Sequence, residues 1–211
     1  MIFFSPVCSW SFFFASYIIT LKIILFTFLA LDLYTGTQSG GQFGAKLPLI
    51  RASQFFLIPV SIAMQEDLIH VYTRIANIRY DKAILETSPS ATESKFALSF
   101  VLRFADGLYS LIINFVLLLI TDNVLSSFLN FAALGFLQSI DDVAFHLAAN
   151  GYLGDKLDDI CTLVKNSSLP RRVGDSFTNA LDTILFLTTY AVMLAIFIYI
   201  VAYEYITTKG N

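Results

Sequence analysis

The sequence predicts an all-α fold, a polytopic transmembrane bundle of about five spanning helices. Hydrophobic residues make up 56% of the 211-residue chain, and only 14% of residues are charged. The mean hydropathy of +0.71 is above the usual range of soluble domains. Several apolar runs reach the length of about 20 residues that a helix needs to cross a bilayer. We therefore expect a single integral membrane domain over residues 1–211.

Four of the five predicted spans are long apolar runs. The first covers residues 10–33, and it lacks the preceding basic residues and the following small-residue cleavage pattern of a signal peptide. The second covers residues 49–71 and contains Pro59, whose missing N–H predicts a kink. The third covers residues 96–121, and the last covers residues 180–203.

The fourth run, residues 124–146, is less regular. It follows the third run after two residues, which predicts a tight antiparallel hairpin. Its purely apolar part has 17 residues, the lower limit for a crossing, so four spans plus a re-entrant or tilted segment is the alternative. Beyond it, residues 155–165 place Leu157, Ile160, Cys161 and Val164 on one face. This pattern predicts an amphipathic helix on the inner membrane surface.

Basic residues predict the orientation, because cytoplasmic loops are enriched in Lys and Arg. Eight of them follow the second and fourth runs: Arg74, Arg79, Lys82, Lys95, Lys156, Lys165, Arg171 and Arg172. Three lie on the opposite side: Lys46, Arg51 and Lys209. The N-terminus is therefore predicted inside and the C-terminus outside; the sequence does not indicate which membrane.

Charged and polar side chains within the spans predict helix contacts. Lys22 lies near the centre of the first helix, where an unpaired cation would cost about 2.5 to 3.5 kcal/mol. Asp106 is the deepest carboxylate available, so a contact between Lys22 and Asp106 is expected, either as a structural bridge or as part of a proton relay.

The predicted hairpin brings further polar side chains to equal depth. If the chain turns at residues 122 and 123, Arg103 lies beside Asp142, and Asn114 lies beside Asn130 or Phe131. Polar contacts of this kind join membrane helices. The expected role of Arg103, Asn114 and Asn130 is therefore helix pairing.

Six carboxylates are predicted at the inner ends of the helices. They are Glu66, Asp67, Asp106, Asp141, Asp142 and Asp182. Together with Lys22 they are candidates for an ion or proton pathway, because oxygen ligands suit hard cations and acidic rings concentrate cations at pore mouths. Arg74, Arg79 and Arg103 lie at similar depth, and charge compensation without an ion is the favoured interpretation.

Composition and motifs argue against several functions. A net charge of -3 without a basic tract does not suit nucleic-acid binding. No catalytic triad, zinc-spaced or paired-acid motif is present, so an enzyme is not expected and no cofactor is predicted. His70 and His146 both fall near the inner ends of helices and form a weak candidate pair for haem or pigment. Cys8 and Cys161 are too few for a disulfide scaffold.

One segment carries a resemblance to a known group of proteins. Residues 129–154, LNFAALGFLQSIDDVAFHLAANGYLG, resemble multi-pass membrane proteins of algae and other protists. Residues 51–68, RASQFFLIPVSIAMQEDL, show a weaker similarity to the same proteins. The activity of that group is not known. The resemblance implies a membrane location and carries over no site residue.

Three functions follow from these observations. The first is a channel- or transporter-like subunit that uses the acidic cluster. The second is a non-catalytic structural subunit of a larger membrane complex, with other membrane subunits or further copies of the chain as partners. The third is a haem- or pigment-binding electron-transfer subunit, which rests on the histidines alone.

Overall fold

The computed structural model describes residues 1–38, 47–78, 80–167 and 176–210, which form helices and no strands. The helices are α1 Trp10–Gln38, α2 Pro48–Ala63, α3 Glu66–Asn77, α4 Ile84–Thr87, α5 Glu93–Ile120, α6 Val124–Gln138, α7 Ile140–Ala149, α8 Asp155–Asn166 and α9 Ser176–Gly210. The predicted all-helical bundle is confirmed. Four basic residues used to predict the orientation, Lys46, Arg79, Arg171 and Arg172, lie outside the described residues.

Four stretches are long and apolar enough to cross a membrane. They are Trp10–Thr35, Glu93–Ile120, Val124–Ala149 and Ala180–Thr207. The helix α2 is apolar but has 16 residues, about 24 Å at 1.5 Å per residue, which is less than a bilayer core of about 30 Å. The chain is therefore membrane-embedded, with four to five spans according to whether α2 and α3 together make a crossing.

The second predicted span is two helices rather than one. The helix α2 continues past Pro59 to Ala63, and α3 begins at Glu66. Glu66 and Asp67 occupy the first turn of α3, where the helix dipole favours carboxylates. The prediction of one helix with a kink at Pro59 is therefore wrong, because the acidic pair starts a new helix beyond the proline.

The fourth predicted span is interrupted in the same way. The helix α6 starts with Asn123, whose side chain accepts a hydrogen bond from the Ser126 backbone N–H, and it ends at Gln138. Ser139 separates it from α7, which carries Asp141 and Asp142 in its first turn. Each interrupted span therefore has an acidic pair directly after its break.

The helix α5 is the centre of the bundle. In its most apolar stretch 44% of residues are buried, against 11 to 17% in the other three spans. A Cβ added at Gly107 would lie 2.8 Å from the backbone nitrogen of Leu68. Since α3 and α5 touch at this glycine, the neighbouring residues Asp67 and Asp106 are brought to the same level.

The helix α8 covers one end of α7. Its Leu157 and Cys161 are fully buried next to Ala148, while Ile160 and Val164 are half-buried. The predicted amphipathic face is therefore the face that packs against the bundle. Burial raises the pKa of the Cys161 thiol, whereas Cys8 is exposed.

Candidate functional site

A buried lysine surrounded by three carboxylates lies at the heart of the bundle. Lys22 Nζ is 2.7 Å from Asp106 Oδ2, 3.0 Å from Asp67 Oδ2 and 3.0 Å from Asp141 Oδ1. Lys22 is 3% exposed. We call these four residues the lysine centre. The contact between Lys22 and Asp106 predicted from the sequence is present, and the carboxylates come from three further helices, α3, α5 and α7.

The depth of the lysine centre follows from the helices that supply it. Lys22 and Asp106 lie near the midpoints of the spans Trp10–Thr35 and Glu93–Ile120. Asp67 and Asp141 each occupy the second position of a helix that begins at a break. Carboxylates at such N-termini are stabilised by the helix dipole. The centre therefore combines midspan charges with the ends of two interrupted helices.

Arg103 lies beside the lysine centre, but with a different partner from the one predicted. Its Nε is 3.9 Å from Asp67 Oδ1. The predicted pair with Asp142 is wrong, since no ion pair joins them in the described part of the chain. The hairpin register applies to α5 and α6, and beyond Ser139 the helix α7 packs on α1 and α8 instead.

The predicted amide contact of the hairpin is also absent. Asn130 Nδ2 donates a hydrogen bond to Thr121 Oγ1 at 3.2 Å. Asn114 is 1% exposed, and its Oδ1 has no hydrogen-bond partner in the structure. The two asparagines lie in neighbouring helices without pairing, because the Asn130 amide bonds to Thr121 at the end of α5 instead.

Two cavities meet at the lysine centre. One of about 440 Å³ is lined by Lys22, Asp67, Asp106 and Asp141 and extends past Phe96 toward Met1. The other, of about 360 Å³, is lined by residues around the two helix breaks. Its lining includes Lys22, Met64, Gln65, Glu66, His70, Gln138 and Ser139. The space around the centre therefore has both charged and apolar walls.

The remaining predicted acids differ in whether they lie at the cavities. Asp142 lines both cavities, and Glu66 lines the second. Asp182 lines neither cavity, and its carboxylate accepts a hydrogen bond from the Thr183 backbone N–H at 2.7 Å. Of the six carboxylates predicted to cluster, five lie at the cavities and Asp182 does not.

Basic side chains compensate much of the negative charge of the lysine centre. The three carboxylates face the ammonium of Lys22, the guanidinium of Arg103 lies beside Asp67, and Arg74 lines both cavities. Met1 also lines the larger cavity. Burial, followed by the charge of Arg103, lowers the pKa of its amino group to about 6, so this group carries little charge at neutral pH.

The described residues contain no group of three or more His, Cys, Asp or Glu side chains arranged to hold a metal ion. The position that three carboxylate oxygens would offer to a cation is taken by Lys22 Nζ. Asp106 Oδ1 is buried, and no hydrogen-bond partner for it is found among the described residues. Asp106 therefore directs one oxygen to Lys22 and holds the other in the interior of the bundle.

Sequence reasoning missed the uncharged polar residues at the breaks. Gln65 Oε1 accepts hydrogen bonds from Ser110 Oγ and Gln138 Nε2, joining α5 to both interrupted spans. It also missed the ion pair between Arg51 and Glu204, which joins α2 to α9. The available signal was the presence of Gln and Glu side chains inside otherwise apolar runs, each of which needs a partner in lipid.

The two histidines do not form a pair. His70 is exposed and lines the smaller cavity, whereas His146 is exposed on α7 and lines neither cavity. No known protein family, characterised protein or solved structure matches the chain.

Proposed function

We propose that the chain moves protons or small cations across the membrane and that the lysine centre is the site through which they pass. The observation that carries the proposal is the contact of one buried ammonium, that of Lys22, with three carboxylates at the place where two cavities meet. A purely structural bridge needs one carboxylate for one ammonium. Each further buried charge costs free energy unless a proton or a cation compensates it.

The interrupted helices support the same function. In many secondary transporters, ion sites lie near the bilayer midplane where helices are broken, and the helix ends help to bind the ion. Here the breaks at Met64–Gln65 and at Ser139 flank the centre, and both line the smaller cavity. With the orientation that the basic residues predict, the larger cavity opens to the inside.

Flux measured on the purified chain tests the proposal. The protein is reconstituted in liposomes that contain a pH-sensitive dye, and a potassium diffusion potential made with valinomycin drives the flux. We expect proton or sodium flux above that of empty liposomes, and we expect Asp106→Asn to abolish it, because Asp106 is the carboxylate nearest to Lys22 Nζ.

Asp182→Asn is the matched control, since Asp182 is a carboxylate of the bundle that does not line the cavities. It should retain the wild-type flux. Absence of flux from well-folded wild-type protein, or flux that survives Asp106→Asn, would overturn the proposal.

A second candidate function is that of a subunit in a larger membrane assembly. It is favoured by α9, where only 11% of the most apolar stretch is buried. Native mass spectrometry of the protein extracted in lipid nanodiscs tests it. Co-extraction of a stoichiometric partner that contacts α9 supports it, and a lone monomer with intrinsic flux contradicts it.

A further inference from the structure

A line of buried polar atoms without partners follows the contact between α2 and α5. Four side-chain atoms in the described residues share this property there: Ser61 Oγ, Gln65 Nε2, Asp106 Oδ1 and Asn114 Oδ1. Together with two hydrogen-bonded neighbours they form what we call the polar seam. The residues of the polar seam are Gln54, Ser61, Gln65, Asp106, Ser110 and Asn114.

The spacing on α5 places its three members on one face. Asp106, Ser110 and Asn114 are four residues apart, and residues at this spacing are stacked along a helix. Each step is about 6 Å at 1.5 Å per residue. Two hydrogen bonds of about 2.8 Å span a step of this length, which is the spacing that one bridging water between successive side chains requires.

The burial of these residues makes water the expected partner. Ser61 and Asn114 are each 1% exposed, and a buried polar atom without a hydrogen bond costs about 1 to 3 kcal/mol. Other hydroxyls in the bundle avoid this cost: Thr27 and Thr188 donate to the carbonyls of Ile23 and Ile184 in their own helices. Ser61 makes no such bond, and ordered water commonly satisfies groups of this kind.

The seam continues to an ion pair at its far end. Gln54 Nε2 donates to the Leu118 carbonyl at 2.6 Å, and Gln54 Oε1 accepts from Arg51 at 2.8 Å. Arg51 in turn pairs with Glu204. From Asp106 to Leu118 the distance along α5 is about 18 Å. Polar groups therefore connect the lysine centre with the Arg51–Glu204 pair.

We infer that the polar seam holds a file of water molecules that carries protons between Asp106 and Glu204. This inference rests on the proposed function and specifies its substrate. The seam side chains Gln54, Ser61 and Asn114 are at most 1% exposed and line neither cavity. Side chains packed this closely leave room for single waters at most and none for hydrated metal cations.

The proton transfer balances without another reactant. A protonated Asp106 releases its proton to the first water, each water accepts one proton and passes one on, and the Glu204 carboxylate accepts the last. Asp106 then returns to the carboxylate paired with Lys22. Among the described residues, the charged groups at the Asp106 end are Lys22, Asp67, Asp141, Asp142, Arg74 and Arg103, and Arg51 pairs with Glu204 at the other end.

Two substitutions in the liposome assay test the inference. Asn114→Leu fills the seam with an apolar side chain of similar size, and we expect at least a tenfold fall in proton flux, roughly the effect of losing one water-mediated step. Asn130→Leu is the control, because Asn130 is also an amide of the bundle but bonds to Thr121 outside the seam. It should keep the flux.

The outcomes separate the two proposals. Flux that requires Asp106 yet is unchanged by Asn114→Leu overturns the seam while leaving the proposed function in place. Flux of sodium rather than protons also overturns the seam. Absence of any flux from the wild-type protein would overturn the proposed function, and with it proton conduction along the seam.

Hydration can also be measured without substitutions. In water-edited solid-state NMR of the protein in lipid, magnetisation from water should reach the Asn114 side chain sooner than that of Ile112. Ile112 is the control because it lies two residues away on α5 and is 48% exposed on the surface of the bundle. Equally slow transfer to Asn114 would show a dry seam and contradict the inference.

Discussion

The two interrupted spans, α2–α3 and α6–α7, deliver an acid to the same lysine by similar means. Each breaks near the level of Lys22 and begins a new helix with two acids in its first turn. At one constant shift in numbering, Gln54, Pro59, Glu66 and His70 align with Asn130, Gly135, Asp142 and His146, of which only the histidine is identical. Both spans thus contain a helix break that is followed directly by a new helix with acids in its first turn.

The two spans differ in how firmly they are held. The break of the first is buried: Gln65 is 1% exposed, and Leu68 is fully buried against Gly107 of α5. The break of the second is half-exposed at Ser139, and Asp141 is 30% exposed against 18% for Asp67. We infer that α3 is a fixed wall of the lysine centre and that α7 is its adjustable side.

Removing the lysine should have the largest effect on stability, because Lys22 bonds to both spans. Lys22→Met leaves three carboxylates without their central cation. We expect a loss of about 3 to 5 kcal/mol, as for a broken buried ion pair. The measurement is the free energy of unfolding in mild detergent with added denaturant.

Asp106→Asn in the same chain controls for the loss of packing. The double variant should recover about 1 kcal/mol or more of that loss, since coupled charges are not additive. An unchanged free energy of unfolding in Lys22→Met would show that the two spans are not held through this residue.

Two glycines test the difference between the spans directly. Gly107→Ala would place a Cβ 2.8 Å from the Leu68 backbone, which cannot move without displacing α3. We expect a loss of about 1 to 3 kcal/mol from overpacking. Gly135→Ala meets only the flexible end of Met64 at 3.2 Å, and it should change stability by less than about 1 kcal/mol.

The melting temperature of each variant in detergent measures this contrast. Equal melting temperatures for the two variants would contradict the assignment of α3 as the fixed wall.

Much of the fold could be predicted because a bilayer imposes length and apolarity on each span. The helix breaks could not, since the polar residues Gln65, Glu66 and Asp67 suit either a buried polar site within one long helix or the start of a new helix. In the structure the helix continues past Pro59, and a new helix begins at Glu66. Tertiary contacts with α5, which local sequence does not reveal, then fix the position of the break.

Part of the lysine centre could also be predicted. An unpaired cation in lipid is costly, so Lys22 required a carboxylate at similar depth, and Asp106 was the deepest one in the sequence whatever the order of the helices. The predicted pair of Arg103 with Asp142 failed because it extended the geometry of a straight hairpin past Ser139. The uncharged residues of the polar seam were missed because Ser, Gln and Asn are common in helices and reveal their role only through burial.

Neutralising one acid in each span should have a smaller effect than removing Lys22, and the effect should differ between the two spans. Asp67 contacts both Lys22 and Arg103, so we expect Asp67→Asn to cost about 1.5 to 3 kcal/mol, as for lost hydrogen bonds to charged groups. Asp141 contacts Lys22 alone in the described residues and is the most exposed of the three carboxylates. Asp141→Asn should therefore stay within about 0.5 kcal/mol of wild type.

The midpoint of denaturant unfolding compares the two variants under identical conditions. Equal losses, or a larger loss for Asp141→Asn, would show that α7 is held as firmly as α3.

The smallest expected effect concerns the far end of α7. Cys161 of α8 is fully buried beside Ala148 of α7, and burial raises the pKa of its thiol. Because the thiolate is the reactive form, Cys161 should react with a maleimide about 100-fold or more slowly than the exposed Cys8 at pH 7, and faster as the pH rises. Mass spectrometry follows the labelling over time. The single variants Cys8→Ser and Cys161→Ser show which rate belongs to which cysteine.

The same labelling compares the mobility of the two spans. If α7 is the adjustable side, Asp141→Asn should accelerate the labelling of Cys161, because the Lys22 contact that holds the start of α7 is lost. Asp67→Asn acts on α3, which does not contact Cys161 in the cluster that buries it, and should leave the rate unchanged. A rate that responds to Asp67→Asn and not to Asp141→Asn would reverse the roles of the two spans.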